Sequence, residues 1–224
     1  MGTVEIIDAR QLLIRSHIVT YGNAADEEVT ELIRSEIETM WNEPAAEMLQ
    51  RGELCLRFSI TATCRPDISP DEIMSNTDPL NNYFRIERTA QGNISFVDGI
   101  GSNTGYFLLE NLYAGSTTAA HEYGHTLGLV HPTDLDLRGK GVPGIMYPRG
   151  TIVDPPFQYN PASQPGDSNN GGTMHPKNRR VLPADILALH PSNLRREKLI
   201  GDFTSIWHPD HASVDWNTRE IFGA

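Results

Sequence analysis

The order of apolar patterns along the chain predicts an α+β fold, and three observations carry that reading. Runs of strand length, alternating or apolar, occur repeatedly in the first 110 residues. One long stretch among them, from about residue 25 to 41, has the spacing of an amphipathic helix. Residues 139–176 then hold seven prolines, a density that leaves loops in place of helices or central strands.

Taken in order, residues 12–20 alternate, with Leu12, Ile14 and Ile18 on one side, and predict a strand. Val29, Leu32, Ile33, Ile37, Met40 and Trp41 mark one face of the helix, which is expected to back the sheet. Leu54–Ala62, Tyr83–Arg88 and Asn93–Val97 are further strands, followed by the apolar run Gly105-Tyr106-Phe107-Leu108-Leu109. A second helix begins near Ser116 or Thr117, either of which has the hydroxyl of an N-cap. If Leu54–Cys64 is one strand, Cys55 and Cys64 have opposite parity and lie about 30 Å apart, at roughly 3.3 Å per residue, so two free thiols are expected, with a disulfide as the alternative if the chain folds back between them.

Length and charge bound the partners. The chain has 224 residues, enough for one sizeable core, and one domain over residues 1–224 is expected. Its 18 basic and 29 acidic residues give a net charge of −11, which disfavours nucleic acid and anionic membrane surfaces. There is no run of about 18 apolar residues that would span a membrane. Residues 1–20 lack the basic start and apolar stretch of a signal peptide. A secreted, periplasmic or cell-surface protein whose export signal has been removed is expected, with a cytoplasmic location as the alternative, and the expected state is a monomer.

The chemistry concentrates in His121-Glu122-Tyr123-Gly124-His125-Thr126-Leu127-Gly128-Leu129-Val130-His131. Residues four apart on a helix are surface neighbours, so His121 and His125 reach one metal ion while Glu122 sits beside it. On a continuing helix His131 would lie about 15 Å further along the axis than His121, at roughly 1.5 Å per residue. The helix must therefore stop, and Gly128 is placed to stop it in the left-handed conformation, letting His131 swing back. Three imidazoles leave a fourth coordination position for water, which distinguishes a catalytic zinc site from a structural one. Glu122 is the natural base for that water. Average residue usage gives this combination a chance frequency on the order of 10⁻⁴, so the histidines are expected to be ligands.

At these residues the chain resembles the metzincin clan of zinc endopeptidases, whose motif is followed by a methionine-containing turn. Gly144-Ile145-Met146-Tyr147-Pro148 looks like that turn, with Met146 as the apolar base under the imidazoles. Thr173-Met174-His175-Pro176 is the second candidate. Within the clan the chain is most similar to matrixins, the matrix-metalloproteinase type, through Ala119-Ala120, Leu127-Gly128-Leu129, Met146-Tyr147-Pro148 and Leu182-Pro183-Ala184-Asp185-Ile186. The last of these looks like the start of the matrixin closing helix.

The resemblance, specific over about residues 105–190, implies a twisted mixed sheet with an active-site helix in an upper subdomain of about residues 1–128. It implies a loop-rich lower subdomain of about 129–224 closed by a helix. It also implies zinc-dependent hydrolysis of internal bonds in protein or peptide substrates, with one catalytic zinc held by His121, His125 and His131, Glu122 as general base, and Gly128 and Met146 as supports. Gly105, Tyr106, Phe107 and Leu108 would form the sheet edge on which an extended substrate pairs, with an ordinary core strand, its apolar residues buried on both faces, as the competing reading; Tyr147, Pro148 and Arg149 would form the specificity pocket. An inactive or latent metzincin-scaffold binding module is the alternative, since it would keep the same sequence.

Two further segments hold metal-ligating residue types. Asp167-Ser168-Asn169-Asn170-Gly171-Gly172, and Asp134 with Asp136, have the composition of a calcium site, though a loop without an ion is the stronger reading. His208-Pro209-Asp210-His211 has a proline between its histidines, which breaks helical geometry and argues against a second metal site.

Overall fold

A computed structural model of the chain describes residues 1–89 and 93–210. It shows a mixed fold built on a curled β-sheet. In chain order the elements are β1 (Gly2–Ile6), β2 (Gln11–Tyr21), α1 (Glu27–Asn42), α2 (Ala45–Gln50), β3 (Cys55–Cys64), α3 (Pro70–Met74), β4 (Asn81–Glu87), β5 (Phe96–Val97) and β6 (Thr104–Leu108). After them come α4 (Thr118–Thr126), α5 (Pro183–Ala188), α6 (Pro191–Glu197) and β7 (Leu199–Ile200).

The long strand β2 organises the sheet. One side of it pairs in parallel with β3 along ten registered positions, Gln11 with Cys55 through Thr20 with Cys64. Its other side is shared: β1 takes the first half antiparallel and β4 the second half parallel. The sheet then continues through β6, parallel to β4, to the edge strand β5, which pairs antiparallel with β6. The alternation read from residues 12–20 is real, with Leu12, Ile14 and Ile18 fully buried. Cys55 and Cys64 stand at the two ends of β3 and are free thiols.

Helix α1 starts where Asp26 accepts a hydrogen bond from the Val29 N–H at 2.8 Å. Its face of Ile33, Ile37, Met40 and Trp41 lies on the sheet residues Ile14, Ile18, Phe58 and Phe84 in one continuous core. That core runs on beneath α4, through Ala119, Ala120 and Tyr123, to Ile145, Met146, Ile186 and Leu189. The helix carrying the histidines is thus clamped between the sheet-and-helix layer and the later loops.

Two short elements after α5 were not signalled by any sequence pattern. Helix α6 and strand β7 bring the chain back to β1, where β7 pairs antiparallel with Gly2 and Thr3. The proline-rich segment is loop, as expected. Its only regular pieces among the described residues are short 3₁₀ turns at Pro155–Phe157 and Pro176–Asn178 and isolated bridges such as Gln158 with Met174. Leu137, Val153 and Met174 make a small apolar cluster of its own there.

Candidate metal centre

Helix α4 is held from three directions before any metal is considered. Tyr123 and Gly124 follow Glu122 and face away from the cleft. The Tyr123 ring packs edge-on to Trp41 and Phe58, and its hydroxyl meets Ser16 Oγ at 2.7 Å in the core. Trp41 Nε1 donates to the Ala120 carbonyl at 3.0 Å. The helix N-terminus is capped from α1: the Glu36 carboxylate accepts from Thr117 N, Ala120 N and Ser116 Oγ at 3.1–3.2 Å.

The cap differs from the sequence reading. Thr117 does occupy the cap position, but its backbone is left-handed (φ +64°) and its hydroxyl donates to the Pro176 carbonyl. Ser116 Oγ contributes by accepting from Thr118 N at 3.2 Å. A carboxylate outperforms a hydroxyl here because it offers two oxygens to several orphan donors at the positive end of the helix.

At the other end the helix stops as Gly128 requires. Gly128 has φ +96°. Its N–H donates to the His125 carbonyl and the Leu129 N–H reaches back to Gly124, both at 3.0 Å, the paired bonds of a Schellman turn. The chain then turns His131 toward the helix. The three Nε2 atoms converge: His131 Nε2 lies 3.1 Å from His121 Nε2 and 3.1 Å from His125 Nε2.

The protonation of these rings follows from their other nitrogens. His121 Nδ1 is 2.7 Å from the Ile145 carbonyl and His125 Nδ1 is 2.8 Å from the Leu129 carbonyl. A carbonyl only accepts, so each Nδ1 carries the hydrogen and each Nε2 presents a bare lone pair. All three imidazoles are held below their ordinary pKa. Burial is the first cause for each and Arg179 adds to it, with neighbouring histidines contributing at His121 and His131; His131 falls to about 4. The Nε2 lone pairs of His121 and His125 thus both face His131 Nε2, and the three nitrogens surround a point where one cation would engage them all. Ligands 2.0–2.1 Å from a tetrahedral ion sit about 3.3–3.4 Å apart, close to the spacing seen. The residues present therefore fit a metal ion, and His121, His125 and His131 can hold one.

Glu122, next to His121 on the buried helix, faces the same cleft and is not a member of the nitrogen cluster. Burial pushes its carboxyl up to about 8, against the opposing pull of Arg179 and Arg149. The cleft has a volume of about 680 Å³. One wall is the continuous segment Ile94–Ile100, which includes β5; Asn111, Thr118, Pro148, Arg149 and Arg179 complete it around the histidines.

Met146 packs behind the ligand helix. It is buried at 3% exposure, and a Cβ built on Gly124 would lie 2.3 Å from its Sδ, so the thioether rests directly against the helix backbone between the two ligand turns. Met174, the second candidate, belongs to the separate loop cluster with Leu137 and Val153.

The expected substrate-binding residues divide. Pro148 and Arg149 line the cleft, whereas Tyr147 packs against the loop cluster instead. Gly105, Tyr106, Phe107 and Leu108 are not a cleft edge: β6 is buried along its whole length and flanked by β4 and β5. A Cβ on Gly105 would meet the Phe96 carbonyl at 2.5 Å, so this glycine permits the close approach of β5 to β6. The edge facing the cleft is β5, one strand earlier.

The other candidate metal segments are satisfied without an ion. Asp167 accepts from Asn169 N, Asn170 N and Asn170 Nδ2 within its own loop. Asp134 pairs with Lys140 and Asp136 with Arg138. His208 Nε2 bonds the Asp98 carboxylate at 2.8 Å, and His211 lies outside the described residues. Among the described residues, the three histidines are the one group of metal-ligating side chains close enough to share an ion.

Glu36 and Arg179 were missed in the sequence. Neither lies near the motif, and no periodicity marks them. No protein-family model matches the sequence, and no curated protein matches it either.

Proposed function

We propose that the protein is a zinc-dependent endopeptidase, a reading supported above all by the convergence of three imidazole Nε2 atoms beside a buried glutamate in an open cleft. An all-imidazole set favours zinc over hard cations such as calcium, which take oxygen ligands. When bound, zinc would lower the pKa of a coordinated water to about 7 and polarise the scissile carbonyl.

The rest of the work belongs to the chain. Glu122 takes the proton from the attacking water and delivers it to the departing amine. Burial eases the protonated form that Glu122 holds between the two steps, while Arg179, Arg149 and a bound cation would favour the ionised form that begins them. Ile145 and Leu129 fix the two helical imidazoles through their Nδ1–H groups, so ring orientation is set before substrate arrives. The edge strand β5 leaves main-chain groups along one wall, the arrangement an extended peptide pairs with by strand addition. Main-chain pairing admits internal segments of many sequences, and this favours an endopeptidase, in keeping with the metzincin resemblance.

The test is Glu122→Gln. The variant is expected to bind zinc in the same stoichiometry while peptide hydrolysis falls about 10³-fold, within the range of a lost general base. Retained turnover at unchanged zinc content would remove Glu122 from the mechanism.

A further inference from the structure

We propose that Arg179, together with Arg149, forms a carboxylate-binding subsite in the cleft, so that the enzyme selects substrates that present an acidic group near the scissile bond. This rests on the peptidase reading above and adds a substrate class to it. Arg179 follows the 3₁₀ turn Pro176–Asn178 and is buried at 4% exposure, yet it lines the cleft. Its Nε has no hydrogen-bond partner, and its guanidinium makes no ion pair among the described residues.

The other buried arginine shows how this chain treats such a group when it is structural. Arg85, 5% exposed, pairs with Glu87, donates to the His208 carbonyl at 2.8 Å and stacks over Tyr21 and Trp207. A buried guanidinium left with an unfilled donor is costly, and its cost is explained if a ligand completes it.

The chemistry of the missing partner is specific. A guanidinium is a planar fork of donors that matches a carboxylate in bidentate fashion. Burial lowers Arg179 to about 10, with Arg149 as a like-charged neighbour, so the group remains a cation at neutral pH. Arg149 adds a second guanidinium to the same cleft, one of its donors being taken by Asn111 Oδ1 at 2.8 Å. Asp98, another carboxylate of the cleft lining, is engaged by His208 and by Thr104 Oγ1, and no ion pair joins it to either arginine among the described residues. In a chain of net charge −11, two arginines facing one cleft make a local positive site. Glu122 is also within their field, but no ion pair joins it to Arg179.

The carboxylate can belong to an aspartate or glutamate side chain or to the free C-terminus of a peptide. The experiment separates these. Acetylated peptides that carry a single Glu or Gln at successive positions around a cut site, each made with an amidated and with a free C-terminus, are compared in kcat/KM. The same fluorescent peptides are titrated in parallel onto zinc-free Glu122→Gln protein. A preference of about 10–100-fold for Glu at one position in amidated peptides is expected, the scale of a charge-assisted bidentate pair. A preference that follows only the free C-terminus assigns the subsite to the chain end. In Arg179→Gln the preference should collapse toward one in both assays, and in Arg179→Lys it should fall by more than half. Glu and Gln peptides that bind and react alike in the wild type, or an unchanged ratio in folded Arg179→Lys, would overturn the subsite. Binding preference without any cleavage would keep the subsite and sink the peptidase reading.

Discussion

Gly124→Ala sets two well-defined effects against each other. In an isolated helix this exchange is favourable by about 1 kcal/mol, because glycine has the greater conformational entropy to lose. Within α4 the added Cβ would stand 2.3 Å from Met146 Sδ, 3.2 Å from its methyl and 3.2 Å from Trp41 Cζ2. A thioether end is flexible, but Met146 and Trp41 are both buried and Trp41 is tied to the Ala120 carbonyl, so neither has open space to move into. Overpacking of this kind costs typically 1–3 kcal/mol, and the net expectation is a loss of about 1 kcal/mol. For a chain of this length that is a drop of about 3 °C in melting temperature. Urea denaturation of the zinc-free wild type and variant measures it, and adding Met146→Ala identifies the cause: the double variant should be no less stable than Met146→Ala alone. A Gly124→Ala protein as stable as the wild type or more so would refute the placement of Met146 against the ligand helix.

Two further outcomes follow from the supports of the centre. Glu36→Ala removes the acceptor shared by Thr117 N, Ala120 N and Ser116 Oγ and should cost about 2 kcal/mol, the upper range for loss of a helix cap, with Glu36→Gln costing less; equal stabilities by urea denaturation would show that the cap is not needed. Asp185 accepts from Leu182 N at 2.8 Å, and burial raises its carboxyl from 3.8 to about 6. The folded state therefore holds this proton more tightly than the unfolded chain, so the group stabilises the fold at low pH and that contribution is lost as pH rises from about 4 to 6. A shift of this size corresponds to about 3 kcal/mol, so the stability of Asp185→Asn relative to wild type should rise by up to that amount between pH 4 and 7, whereas parallel pH curves for the two zinc-free proteins would contradict it.

The histidine motif was legible because its information is local. Spacing on a helix, a left-handed glycine and a returning histidine are all encoded within eleven residues, and the structure brings His121, His125 and His131 together as that spacing demands. The places of β2 and α1 were legible for the same reason, each resting on a period in its own stretch. What the chain hides is non-local. Glu36 caps a helix that begins some eighty residues later, and its position on α1 reads as one more polar residue of an amphipathic face. The cleft edge was misplaced by one strand because Gly105–Leu108 precedes the helix most closely. Its unbroken apolar run is the mark of a strand covered on both faces, while the true rim at 94–100 is short and partly polar. Arg179 carries no local signal, since only the folded loops show a buried guanidinium whose Nε lacks a partner and which makes no ion pair among the described residues.

The central claim is that this centre cuts peptide chains internally when zinc is bound. Mass-spectrometric profiling of a diverse peptide library, incubated with zinc-loaded protein and with a chelated sample, tests it most directly. The account predicts internal cuts in the zinc-loaded sample that vanish on chelation and return when zinc is restored. An intact library in the presence of stoichiometrically bound zinc, or cuts that persist after the metal is removed, would contradict it.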